Sequence, residues 1–269
     1  MDRLKQKTSL GQTGLKISPL GLGTVKFGRN EGVKYPEGFK IPGEPELADL
    51  LSLAQDSGIN LLDTAPAYGS SEERLGRLLK RQRKNWVIAG KVGEEFEQGR
   101  SHYIFTPDHF ETSLHRTLGR LQTDYLDILL IHSDGSDNEI LSDGTLIEKM
   151  HDFKKRGLVR AIGASTKTAE GGIKTLETLD IVMATYNPLY TEEKPVLDLA
   201  AKKNKGVLLK KALASGHLGK LGENPLESAL NFAFSHPATN AIIIGTINPQ
   251  HLAENIRAAS KALEQGKKA

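Results

Sequence analysis

The stretches LLDTAPAYGS (61–70), WVIAGKVG (86–93) and LDILLIHSDG (126–135) decide how this chain is read. Each carries a short apolar run that gives way to polar residues: Asp63 with Tyr68 five positions on, Lys91, and His132. Similar runs recur along the 269 residues, at 18–24 (SPLGLGT), 59–62 (INLL), 86–90 (WVIAG), 125–131 (YLDILLI), 158–164 (LVRAIGA), 180–184 (DIVMA), 206–209 (GVLL) and 240–244 (NAIII). Short runs rich in Leu and β-branched residues suit strands buried on both faces.

Amphipathic segments lie between the runs. Pro45 fits the first turn of a helix through ELADLLSLAQDSG, with Gly58 at its far end. Ser70 and Glu73 have capping-box spacing, Thr106–Pro107 pairs a cap with a first-turn proline, and Asn248–Pro249 opens the last helix. Segments near 140–156, 166–177, 192–204 and 225–235 alternate in the same way. Eight β–α pairs predict an α/β fold, a (β/α)8 TIM barrel formed by residues 1–269 as one domain; about 250 residues is typical of such barrels. The structural alternative is a doubly wound sheet, which usually carries a Gly-rich fingerprint after its first strand. Here GLGTVKFG has Gly21 and Gly23, but Lys26 stands at the third position, so the glycines read as the tight end of a barrel strand. Thr13–Gly14 predicts an N-terminal β-hairpin that caps the bottom of the barrel. Residues 26–45 form the longest predicted loop, and Phe27, Asn30, Tyr35 and Phe39 are its candidate pocket residues, whereas Trp86 reads as core.

Composition narrows the function. The net charge is +3 and no Lys/Arg block stands out, which argues against a nucleic-acid partner. The chain has no cysteine, which excludes disulfides, thiolate nucleophiles and zinc–thiolate sites, and no metal is expected. No window approaches a signal peptide or a membrane span, so a cytoplasmic protein without a membrane partner is the expectation. Oligomeric state is not legible.

In a parallel barrel, polar residues at the carboxyl ends of strands read as catalytic. A free phenol, with a pKa near ~10, is a sluggish acid at neutral pH; a nearby ammonium lowers that pKa. A carboxylate keeps the ammonium charged and in place, and an imidazole can donate to a substrate oxygen. Asp63, Tyr68, Lys91 and His132 together suit protonation of a carbonyl oxygen as hydride reaches its carbon. No side chain supplies hydride, so a reduced nicotinamide is required. Singly, each residue is better explained by a cap, a solvated lysine, a buried histidine or a rim aromatic. Jointly, four polar groups after three successive strands favour a site.

The chain resembles the aldo-keto reductases. The resemblance is carried by LGQTGLKISPLGLGT, LLDTAPAYGSSEERLGRLLK, VIAGKVG, SLHRTLGRLQTDYLDILLIH, GLVRAIGAST, TYNPL and IIIGTINPQHLAENI, in family order over almost the whole chain. It implies a barrel that binds NADPH without a Rossmann fold and reduces aldehydes or ketones. It implies Tyr68 as general acid, Lys91 and Asp63 as its tuning pair, and His132 as the residue that orients the carbonyl. It also implies a set of cofactor residues: Gly23 and Thr24, Ser165 at the carboxamide, Asn187, Gly245, Thr246, Asn248, His251, and Glu254–Asn255 at the adenine.

Two positions depart from the family pattern. Met183 stands where a carboxamide-binding Gln is common, and Lys210, followed by Lys211, stands where a stacking Tyr is common. Lys210 or Lys211, with the backbone of Ala214, Gly216 and Leu218, is read as a pyrophosphate site, because barrels often hold phosphate after the seventh strand. The helix opening at Pro249 offers N–H groups and a favourable dipole to an anion. The cations that grip a 2′-phosphate are missing there, so NADH remains possible beside NADPH. The expected partner is a small carbonyl or alcohol substrate. The second reading is a nucleotide-binding sensor of the same fold with little turnover.

Overall fold

In the computed structural model, residues 2–33, 38–216 and 223–265 are described; Leu218 and Tyr35 lie outside them. The chain opens with α1 (Asp2–Lys5) and a hairpin of β1 (Thr8–Ser9) and β2 (Lys16–Ile17). Then come β3 (Leu20–Gly23), α2 (Val25–Gly28), α3 (Glu44–Asp56), β4 (Leu61–Asp63), α4 (Ser71–Leu79) and β5 (Val87–Val92). A second hairpin, β6 (Glu94–Glu97) with β7 (Arg100–Tyr103), precedes α5 (Pro107–Leu121) and β8 (Leu126–His132). The rest alternates: α6 (Asp137–Ser142), α7 (Gly144–Lys155), β9 (Val159–Ser165), α8 (Ala169–Thr178), β10 (Ile181–Thr185), α9 (Lys194–Lys203), β11 (Gly206–Lys210), α10 (Pro225–Ser235), β12 (Ala241–Ile244) and α11 (Pro249–Gln265). The strands β3, β4, β5, β8, β9, β10, β11 and β12 close in that order into a parallel barrel, as predicted.

Side chains alternate along a strand, and here they sort into two cores. Leu62, Ile88, Leu129, Ile162, Val182, Val207 and Ile242 pack outward with helix residues such as Leu50, Phe110 and Leu230. Leu61, Val87, Ile128, Leu130, Ala161, Ile181, Met183 and Leu208 pack inward, closed off below by Leu10, Leu15 and Ile17 of the N-terminal hairpin. The predicted cap on the barrel bottom is therefore present, and it is apolar. Asp63, Lys91, His132, Ser165, Thr185 and Lys210 share the inward parity, one step above this apolar floor. Met183 is part of the floor, 2% exposed, and pairs in register with Ser165.

Helix starts follow local chemistry. Thr106 Oγ1 accepts from His109 N at 3.2 Å, with Pro107 in the first turn of α5. Pro45 sits in the first turn of α3, where Glu46 Oε2 accepts from Gly43 N at 2.6 Å. The expected Ser70–Glu73 capping box does not form: Ser70 makes no side-chain cap bond, and its N–H reaches Gly28 O at 3.4 Å instead. The segment near 140–156 divides into α6 and α7 at Asp143, whose carboxylate caps the second helix through Thr145 N. The expected loop from 26 begins within α2, and Phe27 is buried in the core, not set in a pocket; Trp86 is core as expected. The β6–β7 hairpin was not foreseen. Its one local signal is the pair Gln98–Gly99, both at positive φ, as a two-residue type I′ turn requires. Among the described residues, no helix is long and apolar enough to cross a membrane.

Candidate active site

The four residues singled out from sequence meet at the carboxyl mouth. Asp63 ends β4, Lys91 sits near the end of β5, His132 ends β8, and Tyr68 ends a 3-10 turn over Pro66–Tyr68. The Lys91 ammonium, 1% exposed as a side chain, pairs with Asp63 Oδ1 and donates to Thr64 O at 2.9 Å and Tyr68 Oη at 3.2 Å. Tyr68 Oη donates to Asp63 Oδ2 at 3.2 Å. The phenol, ammonium and carboxylate thus form one hydrogen-bonded triangle in a buried setting. His132 meets the Tyr68 ring edge-on, with centroids 6.3 Å apart.

Buried polar groups hold the triangle. Thr24 Oγ1 donates to Asp63 O at 2.9 Å and accepts from Ser71 Oγ at 2.8 Å. Thr24 is fully buried, and its hydroxyl braces Asp63. Gly28 lies under the Tyr68 turn: a Cβ there would meet Ser71 N at 2.2 Å and Tyr68 O at 2.6 Å. A Cβ on Gly69, at φ +59, would likewise meet Gly28 O at 2.2 Å. Arg29 donates to Ala67 O at 2.9 Å and lies 3.5 Å from the Phe96 ring centroid, tying the turn to the β6–β7 hairpin.

That hairpin brings in Glu94, which sequence reasoning missed. Its Oε2 lies 2.9 Å from His132 Nδ1, its Oε1 accepts from Ser101 Oγ at 2.7 Å, and Arg29 is 3.9 Å away. Burial works to raise the Glu94 pKa, but His132, Ser101 and Arg29 outweigh it and bring it down to about 2. Burial holds the His132 imidazole below its ordinary range; Glu94 opposes this, and Lys91 and Lys210 add to it.

Beside the tetrad a cleft of about 360 Å³ is lined by Thr166, Asn187, Glu193, Lys210, Lys211 and Ala214, among others. Lys210 donates to Ser165 Oγ at 2.9 Å and also to Thr166 O. Burial lowers the Lys210 pKa to about 8 against the pull of Glu193, whose own pKa burial raises. Thr166 Oγ1 and Glu193 Oε2 are buried without a hydrogen-bond partner, and both residues line this cleft. Asn187 Nδ2 donates to Lys211 O at 3.0 Å and its Oδ1 accepts from Leu189 N, so it fixes the cleft wall. Lys211 and Ala214 sit at φ 53 and 46, and Gly216 closes a 3-10 turn. Ser165, Asn187, Lys210, Lys211 and Ala214 are therefore gathered together, Met183 lies in the floor, and Leu218 is outside the described residues. Thr166 and Glu193 were missed, because a hydroxyl after a strand and a carboxylate at a helix start look ordinary in sequence.

The other end of the predicted cofactor set surrounds the start of α11. Gly23 ends β3 in register beside Asp63, and Gly245 and Thr246 follow β12. Thr246 Oγ1 accepts from Asn248 N at 3.1 Å, and Asn248 Oδ1 from Gln250 N at 2.8 Å. Asn248 thus satisfies part of the helix N-terminus that an anion was expected to use. His251 and Glu254 are exposed on α11, and Asn255 is buried.

A mouth with this proton-handling triangle, facing a cleft of unsatisfied polar groups, defines a barrel oxidoreductase. A model of the aldo/keto reductase family matches residues 19–225. The crystal structure of PA4992 from Pseudomonas aeruginosa, a protein assigned to the aldo-keto reductases, is 48% identical and superposes with a TM-score of 0.89 over 97% of both chains. Aldo-keto reductase YhdN of Bacillus subtilis is 30% identical over 224 residues, 80% of this chain and 65% of that one. L-galactose dehydrogenase of Arabidopsis thaliana is 26% identical, covering 94% of this chain and 88% of its own. The chain belongs to the aldo/keto reductase family and is an NAD(P)H-dependent enzyme.

Proposed function

We propose that the protein reduces a small aldehyde or ketone to the alcohol, with NADPH as preferred donor and Tyr68 as the general acid. The observation that carries this is the placing of Tyr68 Oη within 3.2 Å of both the Lys91 ammonium and the Asp63 carboxylate. The ammonium stabilises the phenolate left when the proton goes to the carbonyl oxygen, and Asp63 holds the ammonium in place. His132 orients the carbonyl oxygen toward Tyr68.

The reduced nicotinamide supplies hydride when bound. The cleft fits its carboxamide, which carries donors and an acceptor: Glu193 Oε2 can accept, Thr166 Oγ1 can do either, and the Lys210 ammonium can donate. These groups do the work for which Met183 is unsuited. Lys210 is turned inward to Ser165, so the pyrophosphate reading narrows to Lys211 and the backbone after it. A curated relative is the NADH-specific methylglyoxal reductase of Escherichia coli, so NADH is titrated beside NADPH.

The test is cofactor titration followed by assay with aldehydes and sugars. Tyr68→Phe is expected to lower kcat by roughly 10²–10⁴-fold while leaving cofactor affinity almost unchanged. Tight cofactor binding with no single-turnover hydride transfer to any carbonyl would overturn the enzyme reading in favour of a nucleotide sensor.

A further inference from the structure

The Glu94–His132 contact bears on which ring nitrogen carries the proton. Glu94 Oε2 lies 2.9 Å from Nδ1, yet the pair falls outside the angular range of a good hydrogen bond. A carboxylate oxygen and a bare nitrogen lone pair at that distance would repel, so Nδ1 carries hydrogen whether the ring is neutral or charged. Nδ1 is sealed from solvent, while the side chain as a whole is 18% exposed. The exposure therefore lies on the rest of the ring, where Nε2 is. The groups bearing on the ring are Glu94, Lys91 and Lys210, with Tyr68 at its edge. Glu94 is the acceptor among them, and Ser101 and Arg29 hold it in place.

A neutral imidazole has one donor and one acceptor nitrogen. With the donor fixed at Nδ1, the neutral ring offers the mouth a lone pair at Nε2. A carbonyl oxygen, itself an acceptor, finds no donor there. Only the doubly protonated ring presents Nε2–H. We propose that Glu94 is a positioning residue that holds the ring proton of His132 on Nδ1, so that a substrate carbonyl is received well only when His132 is doubly protonated. The gating half of this rests on the reading of Tyr68 and His132 as the carbonyl-facing pair; the tautomer half does not.

Two measurements separate the halves. Ring ¹⁵N chemical shifts of His132, taken on the full chain above its titration, report the tautomer without any turnover. The wild-type ring is expected as Nδ1–H. In Glu94→Gln the amide can donate to Nδ1, and the ring is expected to move to Nε2–H. A wild-type Nε2–H ring would overturn the proposal even if the variant failed to fold, and so would an unchanged tautomer in a folded Glu94→Gln. The second measurement is kcat/KM for carbonyl reduction between about pH 5 and 8, the range in which histidine titrates. In the wild type it should fall toward about tenfold per pH unit once His132 loses its second proton. Glu94→Asp should keep that profile and Glu94→Gln should flatten it. A flat wild-type profile overturns the gating. An Nδ1–H ring in a protein that reduces no carbonyl overturns the proposed reaction and leaves the tautomer assignment standing.

Discussion

At the residue scale, the two lysines of the mouth are held in different ways. Lys91 has Asp63 directly on its ammonium. Lys210 donates to neutral oxygens of Ser165 and Thr166, and burial brings its pKa from 10.5 to about 8. A lysine whose folded pKa lies below its unfolded value costs stability at every pH where it is charged in the fold. That cost is full below about 8, shrinks as pH rises toward 10.5, and vanishes above it. Lys210→Met should therefore stabilise the protein at pH 7 by on the order of 1–3 kcal/mol, with the gain narrowing toward pH 10. Glu193, already pushed up by burial, would be pushed further up once the Lys210 charge that opposes this is gone. NADPH affinity should fall about tenfold, the loss of one charged hydrogen bond. Thermal melts across pH and a cofactor titration check both; an unchanged affinity would remove Lys210 from the cofactor site. The tetrad itself was legible, because each member follows an apolar run. The strand ends were not: apolar runs stop at 62, 90, 131 and 164, whereas the strands continue to Asp63, Val92, His132 and Ser165. The polar residues at or beside these ends are the candidate site residues, so a hydrophobicity criterion trims the strand at the point that matters. Counting parity back from Leu61, Val87 and Ile128 recovers them.

At the scale of elements, the Tyr68 turn depends on backbone contacts that leave no room for a side chain at Gly28. Gly28→Ala would drive its methyl into Ser71 N and Tyr68 O, and neither atom can swing aside as a side chain does. The expected result is a loss of about 1–3 kcal/mol from overpacking together with at least a tenfold fall in kcat, as Tyr68 leaves the Lys91–Asp63 pair. Denaturant melts and kinetics would show it; a variant with unimpaired kcat would mean the turn is compliant. Gly28 gave no warning in sequence, since one glycine before a polar loop is commonplace and its neighbours come from residues 68–71. The β6–β7 hairpin escaped for a different reason. EEFEQGRSHY is polar on both faces, so its alternation reads as loop, and its value lies in the long-range contacts of Glu94 and Phe96.

At the scale of the whole molecule, the barrel divides its labour along its axis. Leu10, Leu15 and Ile17 cover the apolar lower layers, and the ionised groups occupy the opposite end. Ile17→Ala should cost about 2–5 kcal/mol and lower the melting temperature, while kcat/KM at a permissive temperature stays close to wild type. Melting and assay on the same preparation test this; a parallel loss of activity would show that the two ends are coupled. The fold was legible at this scale, because eight repeats of run and amphipathic segment leave few alternatives. The plugged floor has one more consequence. Among the described residues it leaves the mouth as the way in, so two ligands that share it must queue: the one lying deeper is first in and last out, whatever their relative affinities.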